Sequence, residues 1–288
     1  MADEWMVERL SAGEAFADVS YWRKLAIFGA DALEWLDDLV TADLSSLRPG
    51  QARHALFLAP TGGVRAVLTV SVRDDHVLLI QDPMQASPID ELLERFVLSS
   101  NVLLEDRTTA LSVFAFPGRT RGPEPASTAQ SAPSCVGAGV DVLAPGARHD
   151  ELLESLSREY AHAGDEELEA WRIRAGIPRF GVDALEGDLP QEAGLSSAVS
   201  RDKGCFPGQE AVAKVDILGH PRRVVLSLEA DGLASPGDPV MLDGSEVGEV
   251  TSAAVSGERT LLLARVRWEA RDAPLHTGLG TELRPRAA

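Results

Sequence analysis

Lys203-Gly204-Cys205-Phe206-Pro207-Gly208-Gln209-Glu210 sets a thiol between two glycines, with a lysine two residues upstream. Glycine tolerates a positive φ, so Gly204 and Gly208 suit a tight loop that aims the Cys205 side chain. Pro207 fits the first turn of a helix that Gln209, Glu210, Ala211, Val212, Ala213, Lys214 and Val215 can continue, which puts Cys205 near its positive end. A free thiol titrates near pH ~8.5, and a neighbouring ammonium or a helix N-terminus favours the thiolate. Cys205 is therefore a candidate nucleophile or redox-sensitive residue, with Lys203 as the nearby cation. Of the three lysines in the chain, Lys24, Lys203 and Lys214, two flank this motif. The competing reading makes the glycines an ordinary turn and Cys205 a small buried apolar side chain.

The remaining chemistry-bearing residues exclude more than they suggest. Cys135 and Cys205 are the only cysteines and lie far apart, so no disulfide framework is implied, although a single Cys135–Cys205 pair stays open. There is no Cys-x-x-Cys or His-Glu-x-x-His, and His54, His76, His149, His162, His220 and His276 are scattered. A self-contained iron-sulfur cluster takes about four thiolates, more than this chain has. No metal site is expected. The formal net charge of -18 disfavours direct binding of nucleic acid. Basic residues gather at Arg201, Lys203, Lys214, His220, Arg222 and Arg223, either as a landing place for an anionic ligand or as solvated loop charges. No apolar run reaches the roughly 20 residues of a membrane span. Met1-Ala2-Asp3-Glu4-Trp5 lacks the basic and apolar regions of a secretory signal, so a cytoplasmic location is expected.

The elements that must position these residues read as α+β. At 288 residues the chain can build two or three compact units. Strands are expected at 56–58, 65–72 and 76–80, with Asp74-Asp75 as a hairpin turn. Ser87 to Leu98 carries Ile89, Leu92, Leu93, Phe96 and Val97 at helical spacing, and a strand follows at 102–105. After a strand at 111–116, the stretch 117–134 is rich in breakers and reads as a mobile loop, and a strand resumes at 141–143. Helices are expected at 150–162 and 166–175. Beyond Arg223, short apolar runs at 224–228, 240–242, 249–254 and 261–266 alternate with Gly, Pro and Asp turns, the pattern of a small antiparallel barrel.

The octet resembles the Lys-Gly-Cys-aromatic-x-Gly-Gln-Glu signature of YgfZ-type folate-binding proteins, relatives of the glycine-cleavage T-protein (aminomethyltransferase). Shorter stretches resemble the family in collinear order. They are Phe16-Ala17-Asp18-Val19-Ser20, Phe28 to Ala32, Leu39 to Leu44, Arg48-Pro49-Gly50-Gln51-Ala52, Ala59-Pro60-Thr61-Gly62-Gly63, Ala175 to Gly181 and Pro190 to Leu195. The chain departs from the T-protein pattern at two acidic positions, where Arg65 and Arg174 stand, which argues against aminomethyltransferase activity.

The resemblance implies a T-protein-like fold of three units around a central folate pocket. Residues 1–220 would form two interleaved lobes, roughly 1–45 with 111–220 and 46–110, and residues 221–288 the C-terminal β-barrel. Tetrahydrofolate or a one-carbon derivative is the implied cofactor. A pterin pairs its N–H donors with a carboxylate, stacks on aromatics and leads a glutamate tail toward cations. Glu192 is the expected carboxylate with Gln191 beside it, Arg174 and Arg179 the expected cations, and Phe57, Trp22, Trp171 and Phe180 the expected ring neighbours. In the octet, Gln209 and Glu210 would fix the loop by hydrogen bonds, and Phe206 fills the aromatic position. The implied function is support of iron-sulfur cluster assembly or repair, and through it tRNA thiomethylation, with iron-sulfur client or assembly proteins as partners. The alternatives are a folate-dependent one-carbon transferase or demethylase and a folate-independent thiol adaptor.

Overall fold

The computed structural model describes residues 2–123 and 129–286. Helix α1, Glu4–Ala12, is capped by Asp3, whose side chain accepts from the Trp5 N–H, and ends at Gly13 with φ 72. Strands β1, Ala15–Asp18, and β2, Arg23–Phe28, follow, then helix α2, Ala32–Asp37. An antiparallel run of β3, Ala52–Leu58, β4, Val64–Val72, and β5, Val77–Gln81, comes next, with Asp74-Asp75 in the hairpin turn as expected. Helix α3, Ile89–Leu93, is short. The rest of its expected span, Glu94–Ser99, winds as a 3-10 turn. Strands β6, Leu103–Asp106, and β7, Leu111–Phe116, complete this half.

The breaker-rich stretch holds a strand that the composition did not reveal, β8, Ala129–Ser131, while its residues 124–128 lie outside the described residues. β9, Val140–Pro145, and α4, His149–Ser157, follow. The helix ends short of the expected His162, because Ala161–Ala163 forms β10, parallel to β1. Helix α5, Asp165–Arg174, leads into a long irregular segment, and α6, Gln209–Leu218, closes the region.

Two five-stranded sheets result, in the orders β10-β1-β7-β9-β8 and β3-β4-β5-β2-β6. Side chains alternate along each strand, so each sheet has two faces to cover. Phe16, Phe114 and Phe116 turn to one side and pack under Leu152 and Leu156 of α4. Ala15, Ala17, Val113 and Ala115 turn to the other and meet Ala26, Leu78 and Ile80 of the second sheet. The second sheet's far face, with Leu25, Ile27, Leu68 and Leu79, is sealed by Trp35 and Leu36 of α2 and Leu93 of α3. The two sheets thus stack face to face with helices outside. The expected lobe boundary near residue 45 cuts through the second sheet. β2 precedes it yet sits between β5 and β6, because Ala26 packs on one face while Leu25 and Ile27 pack on the other.

The C-terminal strands are β11, Arg223–Asp231, β12, Pro239–Leu242, β13, Ser245–Ser256, β14, Arg259–Arg267, β15, Leu275–Thr277, and β16, Glu282–Pro285. They close a barrel in the order β11-β14-β13-β12-β15-β16. β15 and β16 are too short to stand out as apolar runs, yet they supply Leu275 and Leu283 to the barrel core and leave no open edge. No described helix is long and apolar enough to cross a membrane.

Candidate functional site

A cavity of about 550 Å³ opens between the inner face of the second sheet, helix α5, and the irregular segment after it. That volume is typical of a small-molecule site. Alternation along the strands aims His54 of β3, Thr69 of β4 and Ile80 of β5 into it. Cys135, Val136 and Gly137, between β8 and β9, form another wall, and Gly176 to Phe180 a third. Tyr21 and Met84 are 49% and 62% exposed and mark the mouth, whereas Trp22 is 8% exposed and lies deep.

The charged groups form a connected set. Arg179 holds Asp82 with two hydrogen bonds, Nε to Oδ2 at 2.7 Å and Nη2 to Oδ1 at 3.2 Å. Its Nη1 reaches Glu169 Oε2 at 3.4 Å, and Arg172 Nε donates to the same Glu169 oxygen at 2.7 Å. Burial works against the charge of Arg179, but Asp82 outweighs it, and the guanidinium pKa is raised. Tyr21 donates to Asp165 at 3.1 Å, and the Gln85 amide pairs with both backbone groups of Val67. The indole N–H of Trp22 is buried without a hydrogen bond of good geometry among the described residues, with the Tyr21 hydroxyl the acceptor within its reach.

Behind the wall, Asp141 is fully buried and accepts from Ser134 Oγ at 2.5 Å and from the Cys135 N–H at 2.8 Å. Burial raises its pKa to about 6. Burial, and then Asp141, push the Cys135 thiol well above its ordinary value. Part of Cys135 remains accessible, and it faces the cavity rather than bulk water. Lys24 donates its Nζ to the carbonyls of Ser20 and Trp22 at 2.7 and 2.8 Å, and burial lowers its pKa to about 8.

The octet stands behind a different wall, the one to which Phe180 and Ala198 belong. Its aromatic Phe206 packs with Leu56, Leu58 and Val212, and with Phe180 and Ala198, which line the cavity. Cys205 is exposed and does not reach the cavity, so the buried-thiol reading does not hold for it. Lys203 turns away from its expected role. Its Nζ donates to the carbonyl of Asp37, to that of Val40 at 2.9 Å and to that of Ala42 at 2.8 Å, and pairs with Asp37 Oδ1 at 3.3 Å. These are the orphan carbonyls after α2, and a buried ammonium satisfies them. Lys203 therefore joins the octet to the loop after α2 rather than addressing the thiol.

Of the two glycines, Gly208 alone has a positive φ, 83, and caps α6. A Cβ there would lie 2.5 Å from the Ala59 oxygen and 2.8 Å from the Gly62 Cα, so the octet's backbone presses on the turn at 59–63. Nothing lies within 4 Å of a Cβ built at Gly204. Pro207 precedes the cap instead of entering the first turn. Gln209 offers its backbone N–H to the Phe206 carbonyl at 3.3 Å, and Glu210 pairs with Lys214 across a turn of α6 at 2.8 Å instead of bracing the loop. In the basic group, Arg201 is likewise neutralised, by Asp216 at 3.2 Å, while Arg222 and Arg223 are exposed.

Of the expected ligand contacts, Arg179, Trp22 and Phe180 line the cavity. Glu192 does not. Its carboxylate accepts from the backbone N–H groups of Leu189 and Arg222, both at 3.1 Å, and so braces a turn. Gln191 donates to the Val212 carbonyl and to Asp216, at 3.0 and 2.9 Å. Phe57 lies in the second sheet's outer core against Phe96, and Trp171 in the core between the sheets. Arg174 sits on the side of α5 near Val255 and Leu261 of the barrel, outside the main cavity. Arg65 pairs with Glu186 at 2.6 Å and does not line the cavity either. The carboxylates that do line it, Asp82, Asp165 and Glu169, were not singled out in the sequence. Glu169 and Arg172 stand three apart on α5, a spacing that could have drawn attention to that face. Among the described residues, no group of three or more His, Cys, Asp or Glu side chains could hold a metal ion.

Residues 2–127 match the family model described as the GCVT N-terminal domain. A chloroplastic protein of Arabidopsis thaliana, provisionally named a transferase, is 24% identical over 87% of this chain, which spans 64% of that protein's length. An aminomethyltransferase of Shouchella clausii is 29% identical over 93% of this chain and 82% of its own. The structure of the glycine cleavage system aminomethyltransferase T from Bartonella henselae superposes with a TM-score of 0.81 at 20% identity, covering 98% of this chain and 88% of that one. The likeness shows the fold: mixed α/β units with a closed six-strand antiparallel barrel, as the sequence led one to expect.

Proposed function

We propose, from a chain with a GCVT N-terminal domain match and an aminomethyltransferase-like fold, a cytoplasmic YgfZ-type protein that holds tetrahydrofolate or a one-carbon derivative in its central cavity. It supports iron-sulfur cluster assembly or repair, and thereby tRNA thiomethylation enzymes, through the exposed Cys205. The observation that carries the folate part is the cavity itself. It combines apolar walls from Trp22, Val67, Ile80 and Phe180 with carboxylates and an arginine at one site. Asp82 and Glu169 take over the carboxylate role expected of Glu192, with Arg179, bonded to both, orienting them. The thiol stands apart. A lone exposed cysteine outside the cavity suits contact with a client that supplies the remaining cluster ligands.

Calorimetric titration with tetrahydrofolate tests the cavity. Saturable binding is expected, weakened by Asp82→Asn and unchanged by Cys205→Ala; a protein that takes up no heat of binding sinks the folate reading and favours a folate-independent thiol adaptor. For the thiol, Cys205→Ala is expected to fail in restoring growth of a deletion strain under oxidative stress, and full complementation removes that role.

One observation favours the second reading, a folate-dependent one-carbon transferase or demethylase. The basic residue at an expected acidic position, Arg65, lies off the cavity, whereas Asp82, Asp165 and Glu169 line it and can serve proton transfer. Turnover of methylamine-type substrates with added tetrahydrofolate distinguishes it from a binding protein.

A further inference from the structure

The deep part of the cavity holds an imidazole whose tautomer the backbone dictates. His54 on β3 pairs across the sheet with Thr69 on β4, and both line the cavity. Its Nε2 lies 2.9 Å from the Ser134 carbonyl oxygen. A carbonyl can only accept, so Nε2 carries the proton and Nδ1 keeps a bare lone pair. Ser134 is itself anchored, since it is buried and its hydroxyl and the next residue's N–H both donate to the Asp141 carboxylate. Among the described residues no protein group hydrogen-bonds Nδ1 of His54.

We propose that His54 is the acceptor in the depth of the cavity for an N–H donor of the bound ligand, with Nδ1 as the accepting atom. The site then selects a heterocycle that presents a donor at this position over one that presents a lone pair. The proposal rests on the folate reading, under which the donor is an N–H of the reduced pterin. Burial holds the His54 pKa below its ordinary value, so the imidazole is neutral at pH 7. A proton on Nδ1 turns the acceptor into a donor. Ligand binding is thus intact above the depressed pKa and lost as the pH falls through it. Other titratable groups face the same space: Asp82, Asp165, Glu169, Tyr21 and Cys135, with the cations Arg172 and Arg179. Behind Ser134, burial raises the Asp141 pKa to about 6. Variants, not the pH profile alone, must therefore identify the group.

His54→Gln places an amide donor near the Nε2 position and removes the acceptor, whereas His54→Asn places an amide oxygen near the Nδ1 position and does not titrate. Both are titrated calorimetrically beside the wild type with 5-formyltetrahydrofolate, whose acylated N5 takes no proton, between about pH 5 and 8. His54→Gln is expected to bind about tenfold more weakly, or worse, at the upper end. His54→Asn is expected to bind nearly as the wild type there and to lose less affinity on acidification. Wild-type affinity in His54→Gln overturns the proposal. So does a nitrogen-15 spectrum of the free protein that places the proton on Nδ1, whatever the ligand. Absence of wild-type binding at every pH overturns the folate reading instead.

Discussion

At the scale of single residues, glycines of the same motif do different work. Gly208 is held at φ 83 with the Ala59 oxygen 2.5 Å from where a Cβ would be, so Gly208→Ala must move backbone as well as adopt a strained φ. A loss of more than about 1 kcal/mol is expected in chemical unfolding. Gly204 faces open space, and Gly204→Ala is expected to stay within about 0.5 kcal/mol of the wild type. Equal effects from the two would mean that the octet does not rest on the turn at 59–63. The thiols divide in the same way. Cys205 is exposed, while burial and Asp141 keep Cys135 protonated, so alkylation followed by mass spectrometry should modify Cys205 first. Faster labelling of Cys135 would contradict this placement.

Elements were legible where both neighbours and period agree. β5, Val77–Gln81, is buried along its whole length because covered faces flank it, and it reads as a continuous apolar run. α4 was expected to run farther than it does, since its apolar spacing continues to Tyr160, but pairing of Ala161–Ala163 with β1 draws the chain into a strand. The start of α4 is tied to β1 by His149, whose Nε2 lies 2.8 Å from Asp18 and whose Nδ1 lies 2.9 Å from Asp150. Asp150, and then Asp18, raise the His149 pKa above its ordinary 6.5. A raised folded pKa adds stability that is complete below the unfolded value and disappears as the pH climbs through the folded one. The stability gap between the wild type and His149→Gln is therefore expected to be widest below about pH 6.5 and to narrow in alkaline solution. Thermal melts across that range check it, and a gap that widens with pH would reverse the assignment.

For the whole molecule, a buried polar node joins the barrel to the layers that enclose the cavity. Asp183 is fully buried and binds Arg172 Nη1 at 2.6 Å, the Arg179 N–H at 2.9 Å, and the hydroxyls of Thr251 and Ser252 on β13 at 2.5 and 2.7 Å. Removing one charge of a buried pair strands the other. Arg172→Met is expected to cost about 3–5 kcal/mol in urea unfolding, and Arg172→Met with Asp183→Leu to recover part of that loss. A single-variant loss under about 1 kcal/mol would show that the barrel is held by its apolar contacts alone. Because Arg172 also lines the cavity, the same node couples barrel docking to the shape of the ligand site.

The sequence by itself determined the local elements, the barrel's turn-separated strands and the octet's approach to a helix, since each follows from periodicity and turn chemistry within a few residues. Only the tertiary structure decided which polar groups meet. Lys203 found its partners at Asp37, Val40 and Ala42, and Arg179 found Asp82, because the packed fold brings together a helix end and loops distant in sequence. Glu192 and Glu169 are both acidic residues of the α5-to-octet region, and local sequence separates them only by the Glu169–Arg172 spacing on α5. One braces a turn and the other faces the cavity, a difference set by which side of each backbone the packed layers leave open.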